Sequence, residues 1–245
     1  MASRTPAWLA PRRASEAHWI PLSDLMTGLM MIFMLISVAA MMRVEASNVA
    51  MRGAARAYGA TRQELYASLS REFSPDLQRW HARLAPDLTI RFDQPDVLFD
   101  TGKSDLKQGF RAILADFFPR YVRILADPKF RGSIKEIRIE GHTSSSWGKG
   151  VGADEAYFRN MELSQSRTRS ALEYVLLLPQ VAGKKPWLIQ HLTANGLSSS
   201  QVLRNPDGSE NVEASQRVEF RVRTDAEARI DEILKQGQAS QVPAK

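Results

Sequence analysis

The sequence predicts an α+β protein made of a single N-terminal transmembrane helix, a helical tether, and a mixed β-sheet domain with helices on one face. Three observations lead there. One run, Ile20 to Met42, is apolar at membrane length. An alanine- and charge-rich stretch with helical spacing follows it, and from Leu88 onward short alternating runs take turns with helical ones. Strands interleaved with helices in this way imply a mixed sheet covered on one side. The boundaries read as a basic tail (1–18), a span (19–42), a tether (43–87), a folded domain (88–224) and a polar tail (225–245).

At 1.5 Å per residue the span reaches roughly 34 Å, slightly more than the ~30 Å hydrocarbon core. A secretory signal peptide competes with this reading, because Arg4, Arg12 and Arg13 form a basic leader and Ser37 to Ala40 imitate a cleavage site. The run is longer than an ordinary signal core and has an acid near its start, which favours a retained single-pass anchor. A buried core helix is disfavoured, since no other segment is apolar enough to cover it.

That acid is Asp24. An ionised Asp at a helix centre in lipid costs about 2.5–3.5 kcal/mol even on insertion-based scales. Such a residue faces a protein partner or a watery path, and its proton becomes part of the mechanism. Asp24 is therefore the candidate ion-carrying group. Thr27, Gly28 and Met31 share its helix face; Thr27 is the candidate support for the ion path, and Thr27 and Gly28 are small enough for close helix contact. Charge leaves the orientation open, because Arg43, Arg52, Arg56 and Arg62 follow the span as basic residues precede it.

In the tether, Leu65, Leu69 and Phe73 recur on one helical face, and Ser74-Pro75-Asp76 reads as the start of another short helix. A plain spacer and a plug that closes the ion path both fit. The folded domain opens on Leu88-Thr89-Ile90-Arg91-Phe92, an alternating strand, with Asp96 to Phe99 as a second short one. Gln108 to Leu125 is a helix whose regular part bends or ends at Pro119. Ile134 to Glu140 is a strand, Glu162 to Leu178 a helix, and Leu188 to Thr193 and Arg217 to Val222 are the closing strands.

Two segments have unusual chemistry. Glu140-Gly141-His142-Thr143-Ser144-Ser145-Ser146-Trp147 ends a strand with a glycine that permits close backbone approach and a run of hydroxyls. In Asn160-Met161-Glu162-Leu163-Ser164-Gln165-Ser166-Arg167, Asn160 reads as a helix N-cap or a ligand contact, and Arg167 lies two turns along the same face. Arg167 either pairs with an acid such as Glu173 or captures a ligand carboxylate bidentately.

Composition excludes several classes. With 245 residues, a net charge of +6 and no cysteine, disulfides and thiolate metal sites are ruled out. The scattered basic residues fit no nucleic-acid motif, so no direct nucleic-acid binding is expected; they suit an anionic polymer or membrane surface equally well. His18, His81, His142 and His191 lack metal-ligand spacing and no phosphate loop occurs, so neither an enzyme nor a metal site is expected.

Phe99 to Leu106, Gly141-His142-Thr143, Asn160-x-x-Leu163-Ser164-x-x-Arg167 and Gln216 to Phe220 follow the order of the OmpA-like peptidoglycan-binding domain, which this chain resembles from about Leu88 to Thr224. The resemblance implies a periplasmic domain gripping the stem peptide of peptidoglycan through Thr143, Ser144, Asn160, Leu163, Arg167 and Arg217, with Arg167 pairing with the diaminopimelate carboxylate. The chain departs at Ser144, where the family places an Asp that meets the diaminopimelate ammonium.

Asp24-Leu25-Met26-Thr27-Gly28-Leu29-Met30 resembles the ion-carrying helix of the flagellar MotB family of stator B subunits. Ile139 to Ser145 and the compact tether resemble the B subunits of Zorya anti-phage defence systems in particular. This implies an inner-membrane protein with a cytoplasmic N-terminus and a periplasmic C-terminal domain. The implied partners are a homodimeric second copy and a MotA-like (ZorA-like) ring of multi-span A subunits. The implied cargo is a transported ion, read as a proton, with no cofactor. A flagellar stator subunit and a passive peptidoglycan tether, in which Asp24 only caps the span, remain the alternatives.

Overall fold

The computed structural model describes residues 19–225, excepting the side chains of 19–21, 46–48 and 50–58. The expected cytoplasmic tail (1–18), with Arg4, Arg12 and Arg13, lies outside the described residues, as does the polar tail beyond Asp225. The chain divides into two compact units, Met1–Ala54 and Ala55–Lys245.

In the first unit the described residues belong to helix α1 (Trp19–Leu77). Its stretch Leu22–Glu45 is long and apolar enough to cross a membrane, and none of it is buried within the chain. Leu25, Met30 and Leu35 are among the side chains left exposed, an apolar surface that water does not tolerate at this length.

The second unit holds a five-stranded sheet in the order β1 (Ala82–Leu84), β2 (Thr89–Phe92), β5 (Arg217–Thr224), β3 (Ile134–His142), β4 (Leu192–Gly196). All neighbours are antiparallel except β3 and β4, so the sheet is mixed. Period-two alternation sorts its two faces. Ile90, Phe92, Ile137, Ile139, Val218, Phe220 and Val222 are buried in the core. There Phe220 meets Phe117 of α3 (Gln108–Leu125) at 5.1 Å between ring centroids, and Phe92 meets Phe110 at 5.6 Å. The other face carries charge in register: His142 opposite Arg217, Glu140 opposite Glu219, Arg138 opposite Arg221.

Helix α5 (Ala153–Leu176) lies directly on the paired glycines of β3 and β4. A Cβ at Gly141 would stand 2.7 Å from Thr168 Cγ2 and 2.9 Å from the Ser164 carbonyl oxygen. At Gly196 it would stand 2.4 Å from the Gln165 backbone nitrogen. Only glycine admits the helix this closely.

The structure corrects several sequence expectations. Leu65, Leu69 and Phe73, assigned to a tether, are fully buried in the core of the sheet domain, and β1 precedes Leu88. The packed unit therefore takes in the end of α1. Pro75 does not open a new helix but lies inside α1, two residues before its end, where the missing N–H costs little helix length. Pro119 likewise sits within α3 without ending it.

The expected strand Asp96–Phe99 is mostly the helical turn α2 (Pro95–Leu98), because Pro95 at its first position and Asp96 beside it both favour a helix start. Phe99 makes only one bridge, to Leu106. Helix α5 begins nine residues earlier than the expected Glu162, at Ala153, with Asp154 and Glu155 in its first turn. A short helix α4 (Pro128–Arg131) precedes β3. The strand expected at Leu188–Thr193 is largely helix α6 (Lys185–His191), which has a proline in its first turn, and β4 starts only at Leu192.

Candidate functional site

A cleft of about 420 Å³ opens where β3 ends, lined among others by Thr101, Gly102, Thr143, Ser144, Trp147, Asn160, Leu163 and Arg167. Asn160, Leu163 and Arg167 are spaced three and four residues apart on α5, so one helical face supplies all three. The close seat of α5 on Gly141 and Gly196 brings that face up against the strand end.

Asn160 is in the helix interior, not at its cap. It is buried, and its amide nitrogen donates to the carbonyl oxygens of Ser144 at 3.1 Å and Ser146 at 3.3 Å, which fixes the hydroxyl loop. The Ser144 and Ser146 hydroxyls lie 3.5 Å apart. Thr143 donates its backbone N–H to the Ser198 carbonyl at 2.9 Å, and its hydroxyl is buried without a partner among the described residues.

Arg167 is 8% exposed. Its Nε donates to the Lys103 carbonyl at 2.9 Å and its Nη2 to the Asp100 carbonyl at 3.1 Å. The guanidinium also lies 4.8 Å from the centre of the Phe99 ring. No carboxylate among the described residues answers it; Glu173 pairs instead with Arg169. Burial lowers the Arg167 pKa to about 10, the signature of a cation stripped of water and left without a counter-charge.

Arg217 is placed differently. Its Nε bonds Glu219 Oε1 at 2.6 Å and its Nη1 reaches the carbonyls of Gln201 and Ser215, both at 3.2 Å. It lines a small cavity of about 10 Å³ beside the strand end, outside the cleft lining. Its donors hold the segment between β4 and β5.

Sequence reasoning missed Glu210. The Ser145 N–H donates to Glu210 Oε1 at 2.9 Å and the Ser145 hydroxyl donates to Glu210 Oε2, tying the β4–β5 connection to the hydroxyl loop. Asn211 then caps α7 (Val212–Ser215) by accepting from Ala214 N–H at 2.9 Å, and Val212 and Gln216 line the cleft from that side. The partners are 65 residues apart, so no local pattern marks the contact.

A second cluster sits on the charged face. Glu140, His142 and Glu219, all buried, bring potential ligand atoms within 4.8 Å of one another. The i, i+2 spacing of Glu140 and His142 on one strand was the available signal. The donors suit arginine better than a metal ion: Arg217 and Arg91 both bond Glu219 Oε1, the latter at 2.8 Å. Burial and then the Arg217 charge lower the His142 pKa to about 4. Burial is the largest influence on Glu219 and opposes its ionisation, yet the Arg217 bond and the neighbouring positive charges together hold that carboxyl below its ordinary value; burial raises Glu140.

In the first unit, Asp24 is exposed on α1, and the Thr27 hydroxyl donates to the Ser23 carbonyl at 2.8 Å, one turn back. Its proton is thus spent locally, and its oxygen keeps the capacity to accept.

No family model matches the chain. A curated relative, the Zorya protein ZorB of Escherichia coli, is 42% identical over 229 residues, 93% of this chain and 97% of that one. Among solved structures, a MotB-like protein of Desulfovibrio vulgaris is similar over 71% of this chain and 98% of its own, at 23% identity and a TM-score of 0.46. The periplasmic domain of Helicobacter pylori MotB is similar over 61% and 85%, at 18% identity and a TM-score of 0.39.

Proposed function

As the chain belongs to the ZorB family of Zorya proteins, we propose that it is the B subunit of an ion-driven rotary motor serving anti-phage defence. It crosses the inner membrane once, with its N-terminus in the cytoplasm, and holds peptidoglycan through its periplasmic C-terminal domain. The observation that carries this reading is the union in one chain of a membrane-length apolar segment, Leu22–Glu45, that has Asp24 near its start with a domain whose cleft aims a guanidinium among hydroxyls.

The physical cycle follows from the cost of charge in lipid. Asp24, facing a ring of A-subunit helices, takes up a proton from the periplasmic side and releases it inward, because its charged form is tolerated only where water or a partner meets it. Each elementary charge crossing 100 mV yields about 2.3 kcal/mol, enough to bias a conformational step. Thr27, one turn along, supports the path by offering its hydroxyl oxygen. The wall, gripped at Thr143, Ser144, Asn160, Leu163 and Arg167, holds the B subunits still while the ring turns. Arg217 contributes by fixing the segment that closes the cleft. The chain needs no cofactor and performs no covalent chemistry.

Asp24→Asn is nearly isosteric but exchanges no proton. Cells expressing it with the A subunit are expected to assemble the complex and lose phage protection, read as plating efficiency at matched protein levels. Full protection by the Asn variant would remove Asp24 from the mechanism.

A further inference from the structure

Among the described residues lining the cleft there is one formal charge, Arg167, and no carboxylate. The guanidinium has committed Nε and Nη2 to the carbonyls of Lys103 and Asp100, and Nη1 has no partner among the described residues. Nη1 and the second N–H of Nη2 are thus the donors left for a ligand. The opposite wall offers only neutral groups: the hydroxyls of Thr143, Ser144 and Ser146. The Thr143 hydroxyl is buried and unpartnered, so the cleft leaves a second polar group to be satisfied from outside. Two acids flank the lining without joining it: Glu210 is spent on the Ser145 N–H and hydroxyl, and the Asp100 carboxylate pairs with Lys107 at 3.2 Å and Lys103 at 3.6 Å.

A carboxylate entering such a cleft gains a charge-assisted bond, whereas an ammonium entering beside it finds no counter-charge and the field of Arg167 against it. Hydroxyl oxygens can accept a hydrogen bond from a neutral amide N–H, which enters without the cost of an unpaired charge.

We propose that the cleft recognises a carboxylate-bearing peptide stem whose neighbouring amine is acylated, so that cross-linked stems are preferred over stems with a free amine. The carboxylate meets Arg167 and the acylated nitrogen lies against the Thr143–Ser144–Ser146 hydroxyls. This rests on the wall-binding reading above and deepens it: the protein would favour wall already joined into a network, which is the wall that can resist a turning load.

The test uses the full chain in detergent micelles and purified sacculi in three forms: untreated, with free amines acetylated by acetic anhydride, and with carboxyl groups converted to amides. Acetylated sacculi are expected to bind more tightly than untreated ones. Amidated sacculi are expected to bind about tenfold or more weakly, the loss of one charge-assisted hydrogen bond. Arg167→Ala, checked for an unchanged fold by circular dichroism, should lose binding to the acetylated form to the same extent, which separates the cleft from general attraction to an anionic polymer. Ser144→Asp should reverse that response, so that acetylation weakens binding, by supplying the missing anion.

Untreated sacculi that fail to bind would overturn the wall-binding reading itself. Sacculi that bind untreated but bind equally or more weakly after acetylation would overturn this proposal alone, as would indifference to amidation. Ser144→Asp whose binding is not weakened by acetylation would overturn the placing of the stem nitrogen at the hydroxyl wall.

Discussion

At His142 the protein keeps an imidazole neutral by burying it among arginines. The side chain is fully buried, 3.7 Å from Glu219 Oε2, and neither ring nitrogen has a hydrogen-bond partner among the described residues. Burial lowers its pKa most, Arg217 next, and Arg91 and Arg221 add to this, while Glu219 pulls the other way. The unfolded chain takes up this proton near the ordinary value of 6.5, and the folded one only near 4. The unfolded state thus gains the proton first. The stabilisation is present above the ordinary value and is lost as pH falls from 6.5 towards 4, to a limit of about 3 kcal/mol. Glu219, held low, loses stability in the same direction further down the scale; Glu140, held high, contributes below its ordinary value and loses that contribution as pH rises. Replacing His142 by Gln leaves both carboxyls in place. Its melting temperature is therefore expected to fall less steeply than that of the parent between pH 6.5 and 4, and parallel slopes in a thermal scan would contradict the account.

Among the elements, the end of α1 departs furthest from its sequence reading. Leu65, Leu69 and Phe73 plainly form one face of a helix, but periodicity does not say what covers that face. The cover is the aromatic core: Phe73 meets Phe117 at 5.2 Å and Trp80 at 6.0 Å between ring centroids. Leu69→Ala is therefore expected to destabilise the sheet domain by about 2–5 kcal/mol in denaturant titration followed by tryptophan fluorescence. Arg71→Ala, on the exposed side of the same helix, is the control and should change little. A tether would respond equally weakly to both. Elements whose own residues determine them were legible: α3 has the expected bounds, Gln108 to Leu125, because its apolar positions repeat over five turns. Strands β3 and β5 were legible through alternation. The misreadings fall at α2 and α6, where proline at a helix start outweighed the β-like look of Val97-Leu98-Phe99 and Leu188-Ile189. The cleft was half legible. Thr143, Ser144, Asn160, Leu163 and Arg167 stand together around it, whereas Glu210 and Gly196 act through partners distant in the chain.

For the whole molecule, the apolar stretch of α1 sets the requirement for partners. Leu22 to Glu45 is exposed throughout in the single chain, and Asp24 lies within it. A lone helix would turn that carboxylate to lipid, and two carboxylates that alternate suit a stepping ring. A homodimer inside one ring of multi-span A subunits is the expected assembly, and native mass spectrometry of the solubilised complex reads its copy number directly. One copy per complex, or no multi-span partner, would leave only the passive wall tether. The Leu65–Leu69–Phe73 face is not open for pairing the two copies, because the sheet domain has already used it. The same burial has a mechanical meaning. Arg120 on α3 grips Glu72 Oε1 and Asp76 Oδ2, each at 2.8 Å, while its guanidinium lies 5.2 Å from the Phe73 ring centre. Tension arriving along α1 enters the domain over three helical turns of side chains and an ionic clasp, all loaded in shear, and the helix end cannot be drawn out without opening the core that holds it.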